Sequence, residues 1–84
     1  MKKVTIYSAE VCPWCVRAKR LMDANNIKYD EIKLEFDSKE FDDLIERTKM
    51  QTVPQIFFGD NLIGGFPELK AIVDDNKVEE LLSK

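Results

Sequence analysis

Two cysteines, Cys12 and Cys15, stand three positions apart in the run Cys12-Pro13-Trp14-Cys15, and the 84-residue chain holds no other cysteine and no histidine. A disulfide closing so short a loop constrains the unfolded chain little, so the pair reads as chemistry rather than as a staple. Structural zinc takes about four ligands, which only a site shared between two chains could supply here. What remains is thiol–disulfide exchange, whose nucleophile is a thiolate. Pro13 suits the first position of a helix and puts Cys12 at the cap, where unpaired backbone N–H groups and the macrodipole favour an anion. Cys12 is therefore the expected attacking sulfur. Cys15, one turn further along, on the same side and shielded by Trp14 and the turn, is the expected resolving sulfur. Pro13 also lacks an N–H and stiffens the turn, which should tune the redox potential.

Such a pair needs a strand before it and a helix after it, and the pattern supplies both. Residues 4–7 form a short run of β-formers, and residues 13 to about 25 place Cys15, Ala18, Leu21 and Met22 on one helical face. After the Asn25-Asn26 break, residues 29–34 read as a second strand, parallel to the first across a right-handed crossover. Asp37 followed by Glu40 is a capping signature for a second helix carrying Phe41, Leu44, Ile45 and Thr48. Residues 56–58 and 61–63 flank Gly59-Asp60, a pair suited to a two-residue hairpin turn with glycine at positive φ. Pro67 then reads as the first residue of a helix with Leu69, Ile72 and Val73, and Val78, Leu81 and Leu82 close the chain with a last apolar face. The order βαβαββα predicts one domain over residues 1–84, of the α/β class, with a four-stranded mixed sheet and helices on both faces. Reactive groups in such folds collect beyond the carboxyl ends of parallel strands, where residues 8–12 fall.

Other residues carry two readings each. Pro54, in Thr52-Val53-Pro54, reads equally as an edge-strand proline or as part of a site. Gly64-Gly65 is a turn after a hairpin strand or the approach to an anion-binding helix N-terminus. Arg47 and Gln51, near the end of the second helix, are solvated polar residues or ligands for a carboxylate. Trp14 is an apolar platform beside Cys12 or a packing residue, and Arg17 is a cation near the same turn.

Cys12-Pro13-Trp14-Cys15 after a strand, Thr52-Val53-Pro54 before another, and Gly64-Gly65 before a helix resemble the three landmarks of the glutaredoxin family, in order and over nearly the whole chain. The resemblance implies a thioredoxin-like fold and a glutathione-dependent thiol–disulfide oxidoreductase. It further implies a cis Val53–Pro54 bond facing the cysteines. The Val53 N–H and C=O would pair with the cysteinyl backbone of glutathione beside Thr52 and Pro54, and Gly65 and Phe66 would take its γ-glutamyl carboxylate. Arg47 and Gln51 are left for the glycyl carboxylate, and Trp14 stands where the family usually has tyrosine. Glutathione is then a co-substrate, with no tightly bound cofactor. The implied partners are disulfide-bearing or glutathionylated proteins, ribonucleotide reductase among the candidates, with glutathione reductase and NADPH acting indirectly.

Two departures qualify the match. Many glutaredoxins have a lysine two or three residues before the first cysteine, where this chain has Ala9 and Glu10; a carboxylate there, if close, raises a thiol pKa. Asp or Ser followed by Asp is usual after Gly-Gly-X, where this chain reads Phe66-Pro67-Glu68. These departures leave open a redoxin reduced by thioredoxin reductase. A third reading, a carrier of an iron–sulfur cluster bridged between two chains, is disfavoured by Pro13.

The hydrophobic fraction of 44% and charged fraction of 35% are those of an ordinary folded domain. A net charge of −3 with scattered cations disfavours nucleic acid as a partner. The longest apolar run is far short of the roughly 20 residues that span a bilayer. No apolar leader follows the N-terminal lysines, and a cytoplasmic monomer is the expectation.

Overall fold

A computed structural model describes residues 2–83. Eight elements follow in order: β1 (Val4–Ser8), α1 (Pro13–Ala24), β2 (Asp30–Lys33), α2 (Lys39–Thr48), β3 (Gln55–Phe58), β4 (Asn61–Gly64), α3 (Phe66–Asp74) and α4 (Val78–Ser83). The strands form one sheet in the order β2-β1-β3-β4. β2 runs parallel to β1, with Ser8 opposite Lys33, whereas β3 runs antiparallel to β1, with Tyr7 opposite Gln55. The end of β1, the end of β2 and the start of β3 therefore meet at one edge of the sheet, and the cysteine loop rises between the other two.

Period-two alternation divides the sheet between two cores. Val4 and Ile6 of β1 and Ile56 and Phe58 of β3 pack against Ala18 and Met22 of α1, Leu69 of α3 and Leu82 of α4. On the opposite face Phe57 packs with Leu34 and with Phe41 and Leu44 of α2. Each large apolar side chain so buried stabilises the fold by roughly 1.5–3 kcal/mol relative to exposure. All four β3 residues are buried because helices cover both faces of this inner strand, whereas β2 lies exposed at an edge.

The helix ends have local causes. Beyond α1, Asn26 adopts φ 58° while its N–H and that of Ile27 donate to the Asp23 and Met22 carbonyls, a left-handed stop that asparagine tolerates. Asn76 repeats the device after α3 with φ 56°, its N–H and that of Lys77 reaching Val73 and Ile72. That stop divides the C-terminal apolar stretch into two helices, so the order is βαβαββαα rather than the expected βαβαββα. The cap of α2 also differs from expectation. Asp37 lies in the left-handed region at φ 65°, and Ser38 is the cap, its hydroxyl accepting from the Phe41 N–H at 3.1 Å. Pro67 is the second helical residue of α3 rather than the first. Gly59 takes the positive φ expected of the hairpin turn, at 63°.

Candidate active site

β1 delivers the chain to the sheet edge, and Pro13, fixed near a helical φ and needing no N–H partner, starts α1 there. Cys12 is the N-cap in extended conformation, and its Sγ accepts the Cys15 N–H at 3.1 Å. A sulfur at the cap thus takes one of the donors that the first helical turn leaves unpaired. Cys12 and Cys15 are joined in a disulfide with Cα atoms 5.2 Å apart. Cys12 is half-buried while Cys15 is 1% exposed, so an incoming reagent meets Cys12 first.

Three segments close around that sulfur. The Val53 carbonyl oxygen lies 3.8 Å from Cys12 Sγ, the Val53–Pro54 bond is cis, and the Val53 N–H has no partner among the described residues. Gly65 caps α3 so near Pro54 that a Cβ on it would stand 3.4 Å from the Pro54 carbonyl oxygen. Phe66 follows, its ring 5.5 Å from that of Trp14, which is 51% exposed and returns the circuit to the cysteine turn. Cys12, Trp14, Val53 and Phe66 thus lie at the surface around the buried Pro54 and Gly65. Thr52 and Gln51 are exposed in the adjoining loop. Arg47 is aimed at the far face of the sheet: its guanidinium lies 5.5 Å from the Phe57 ring centroid and donates a long 3.5 Å bond to the Tyr7 hydroxyl.

The two departures take physical form. Glu10 is exposed and has no hydrogen bond or ion pair among the described residues, while Arg17 stacks over Trp14 at 4.5 Å from the ring centroid instead of reaching Cys12. At α3, Glu68 Oε1 accepts the Gly65 N–H at 2.8 Å, the half of a capping box that a glycine cap permits. Of the donors expected to face a carboxylate, the Gly65 N–H is therefore already engaged, Pro67 has none, and the Phe66 N–H is the first without a partner among the described residues. Gly64 takes φ 129°, a backbone conformation that side chains rarely adopt, and a Cβ there would also push the Glu68 carboxylate aside.

Two supports were not visible in the sequence. Gln55, fully buried, donates through Nε2 to the Met50 and Thr52 carbonyls at 3.0 and 3.1 Å, while its Oε1 is unpaired. It braces the loop that presents Val53, and a polar residue in an otherwise apolar strand is the signal that could have found it. Ser8, at the end of β1, donates to Glu31 Oε2 at 2.7 Å, and Lys19 of α1 pairs with the same oxygen at 2.8 Å. The Lys19 ammonium and then the Ser8 hydroxyl hold the Glu31 carboxyl below its ordinary range, against the opposing effect of burial. This cluster ties β2, β1 and α1 together behind the cysteine turn. A surface depression lined by Lys3, Ile27, Tyr29, Val78 and Leu82 among others is at the opposite end of β1 and includes none of these site residues. Burial and sulfur chemistry, not concavity, identify the site.

The glutaredoxin family model matches residues 4–63, spanning both the cysteine turn and the Val53-Pro54 segment. The chain belongs to the glutaredoxin family. Over 84 residues it is 33% identical to a glutaredoxin of Neisseria meningitidis serogroup A, with 99% of each chain covered. It is 34% identical over 82 residues to glutaredoxin 3 of Escherichia coli K12, covering 98% of this chain and 99% of that one. Among solved structures, Francisella tularensis glutaredoxin 1, complexed with cacodylate, is 42% identical with a TM-score of 0.76, covering 90% of this chain and 96% of the other. A buckwheat glutaredoxin–glutathione complex is 28% identical with a TM-score of 0.85, covering 98% and 77%. The expected thioredoxin-like architecture is thereby established, and the family together with the Cys12–Cys15 pair makes this glutaredoxin a thiol–disulfide oxidoreductase. Among the described residues, no helix is long and apolar enough to cross a membrane.

Proposed function

We propose that this glutaredoxin reduces protein disulfides and protein–glutathione mixed disulfides with glutathione as its reductant. The supporting observation is the half-buried Cys12 sulfur, at the cap of α1, joined to a fully buried Cys15 and 3.8 Å from the Val53 carbonyl. In the reduced form the Cys12 thiolate attacks one sulfur of the substrate disulfide; that S–S bond breaks, and the departing thiolate takes a proton from solvent. From the mixed disulfide two routes are open. Cys15, as thiolate, attacks the Cys12 sulfur, releases the second substrate thiol and leaves the Cys12–Cys15 disulfide. Where the adduct on Cys12 is glutathionyl, a second glutathione thiolate attacks the glutathionyl sulfur, freeing Cys12 and yielding glutathione disulfide. The intramolecular disulfide is opened by one glutathione, which bonds to Cys12 and liberates Cys15, and a second completes the reduction.

Glutathione is held, in this reading, by Trp14, Thr52, Val53 and Phe66 around Pro54 and Gly65. The unpaired Val53 N–H and the Val53 carbonyl suit backbone pairing with the cysteinyl residue, which recognises an extended peptide without reading its side chain. The γ-glutamyl carboxylate goes to the Phe66 N–H at the start of α3, where the helix dipole favours an anion. Gln51 is the nearer candidate for the glycyl carboxylate, since it adjoins Thr52 whereas Arg47 is drawn to Tyr7 and Phe57. Glutathione reductase and NADPH restore glutathione. The chain's only two cysteines are suited to cycling in a reducing compartment, the cytoplasm.

The test is NADPH oxidation coupled through glutathione reductase to a small glutathione mixed disulfide. The wild type and Cys15→Ser turn over, and Cys12→Ser falls by at least about a thousandfold, the scale on which a covalent nucleophile is lost. Turnover with thioredoxin reductase but not with glutathione would overturn the assignment of the reductant.

A further inference from the structure

Of the four helices, only α1, the one capped by the reactive cysteine, carries more cations than acids. It holds Arg17, Lys19 and Arg20 against Asp23, whereas α2 holds two cations against four acids, α3 one against two and α4 none against two. Lys19 is engaged with Glu31. Arg17 and Arg20 are exposed, and neither guanidinium has a hydrogen bond or an ion pair with a described residue. The fold makes no use of their charge, since α1 packs through Cys15, Ala18 and Met22. Trp14, Arg17 and Arg20 follow one another at steps of three, so they form one exposed ridge that leads away from the cysteine turn. Its first cation is held in place: the Arg17 guanidinium lies 4.5 Å from the Trp14 ring centroid. Stacking on a ring engages the face of the guanidinium and leaves its N–H donors, whose fork matches a carboxylate, free to bind.

The acids around this ridge are placed elsewhere. Asp23, at the end of α1, lies by Tyr29. On α3, which packs against α1, Glu68 is turned onto the Gly65 N–H and Asp74 is paired with Lys70. Glu10 has no partner, but it precedes Cys12 whereas the arginines follow it. A cationic ridge beside the attacking sulfur complements an anionic stretch of substrate. The spacing sets which stretch: at about 1.5 Å of rise per residue, Arg17 and Arg20 stand about 7.5 and about 12 Å along α1 from Cys12, distances that an extended peptide covers in about two to four residues. We propose that Arg17 and Arg20 dock the polypeptide part of the substrate and favour disulfide-bearing segments with aspartate or glutamate a few residues from the cysteine. This rests on the reductase reading above and adds the class of polypeptide that the site accepts. The preference runs against the chain's net charge of −3, which by itself would repel an acidic segment.

The test compares two synthetic peptides, each with one glutathionylated cysteine flanked on both sides, a few residues away, by glutamates in one and by glutamines in the other. At low salt the wild type should reduce the glutamate peptide with a kcat/KM about fivefold higher, the sum of a few exposed charge pairs. The preference should shrink towards unity near about 1 M salt, where the Debye length falls to about 3 Å. Arg17→Gln combined with Arg20→Gln should abolish it, and Arg20→Gln alone, which leaves the Trp14–Arg17 contact in place, should remove part of it. Turnover of a small glutathione mixed disulfide should be unchanged in both variants. Equal rates for the two peptides on the wild type, a faster glutamine peptide, or a preference that survives the double substitution would overturn the docking proposal. So would a double variant that slows the small mixed disulfide as much as the glutamate peptide, since the arginines would then serve glutathione. Turnover of the small mixed disulfide by the wild type reports separately on the reductase reading. Should that turnover be absent, NMR titration of the oxidised protein with the two peptides, serine replacing cysteine, still decides: shifts at Trp14, Arg17 and Arg20 with the glutamate peptide alone support docking, and shifts with neither or with both equally contradict it.

Discussion

At the scale of single residues, the asymmetry between Cys12 and Cys15 organises the chemistry: one sulfur meets reagents and the other is sealed beneath it. That asymmetry was legible because it is local, written into a proline-bearing turn within four residues. The contacts that hold the site depend on how the chain folds, which is why they escaped notice. Gln55 folds back on the Met50 and Thr52 carbonyls, five and three residues before it, and only its place in an otherwise apolar strand signalled burial. Gln55→Leu should lower stability by about 1–2 kcal/mol, the net worth of the lost hydrogen bonds. It should also raise KM for the glutathione mixed disulfide more than it lowers kcat, because the Val53 loop loses its brace. Urea unfolding and steady-state kinetics on the same preparation measure both; an unchanged KM would separate Gln55 from substrate binding.

At the scale of elements, periodicity revealed the strands and the faces of α1, α2 and α3, because burying one face forces a period of two or 3.6 on the residues that do it. Their ends were harder. Asp37 and Ser38 are both good caps, and only the left-handed φ of Asp37 turns its side chain away and gives the role to Ser38. Likewise Asn76 is compatible with a continuous helix on polarity alone, and its left-handed stop divides α3 from α4. Ser38→Ala should cost about 1 kcal/mol, since it removes the acceptor of the Phe41 N–H. Asp37→Asn, which removes no cap and tolerates the same left-handed backbone, should cost less; chemical denaturation of the two variants ranks them, and the reverse order would contradict the assignment.

At the scale of the molecule, the site is held where three segments converge at one edge of the sheet, and the Ser8–Glu31–Lys19 cluster secures two strands and α1 just behind it. Resemblance to the glutaredoxins made the overall architecture legible, while this cluster joins residues 12 and 23 positions apart and only the folded sheet brings them together. Because the folded-state pKa of Glu31 lies below its ordinary value, its contribution to stability is complete above the ordinary carboxylate range and is lost as pH falls through that range towards the folded value. Glu31→Gln should therefore destabilise by about 1 kcal/mol at pH 7, with the difference vanishing in acid. Unfolding curves across pH 3–7 test the sign, and a difference that grows towards acid would contradict it.

The central claim is that Cys12 is the sulfur that exchanges with glutathione and Cys15 the one that resolves. Its most direct test is the intact mass of Cys15→Ser and Cys12→Ser after reaction with glutathione disulfide at neutral pH. Cys15→Ser should gain one glutathionyl group rapidly and lose it on addition of glutathione. Cys12→Ser, its remaining thiol sealed in the protein, should stay unmodified on the same timescale; rapid modification of Cys12→Ser with an inert Cys15→Ser would reverse the two roles and contradict the account.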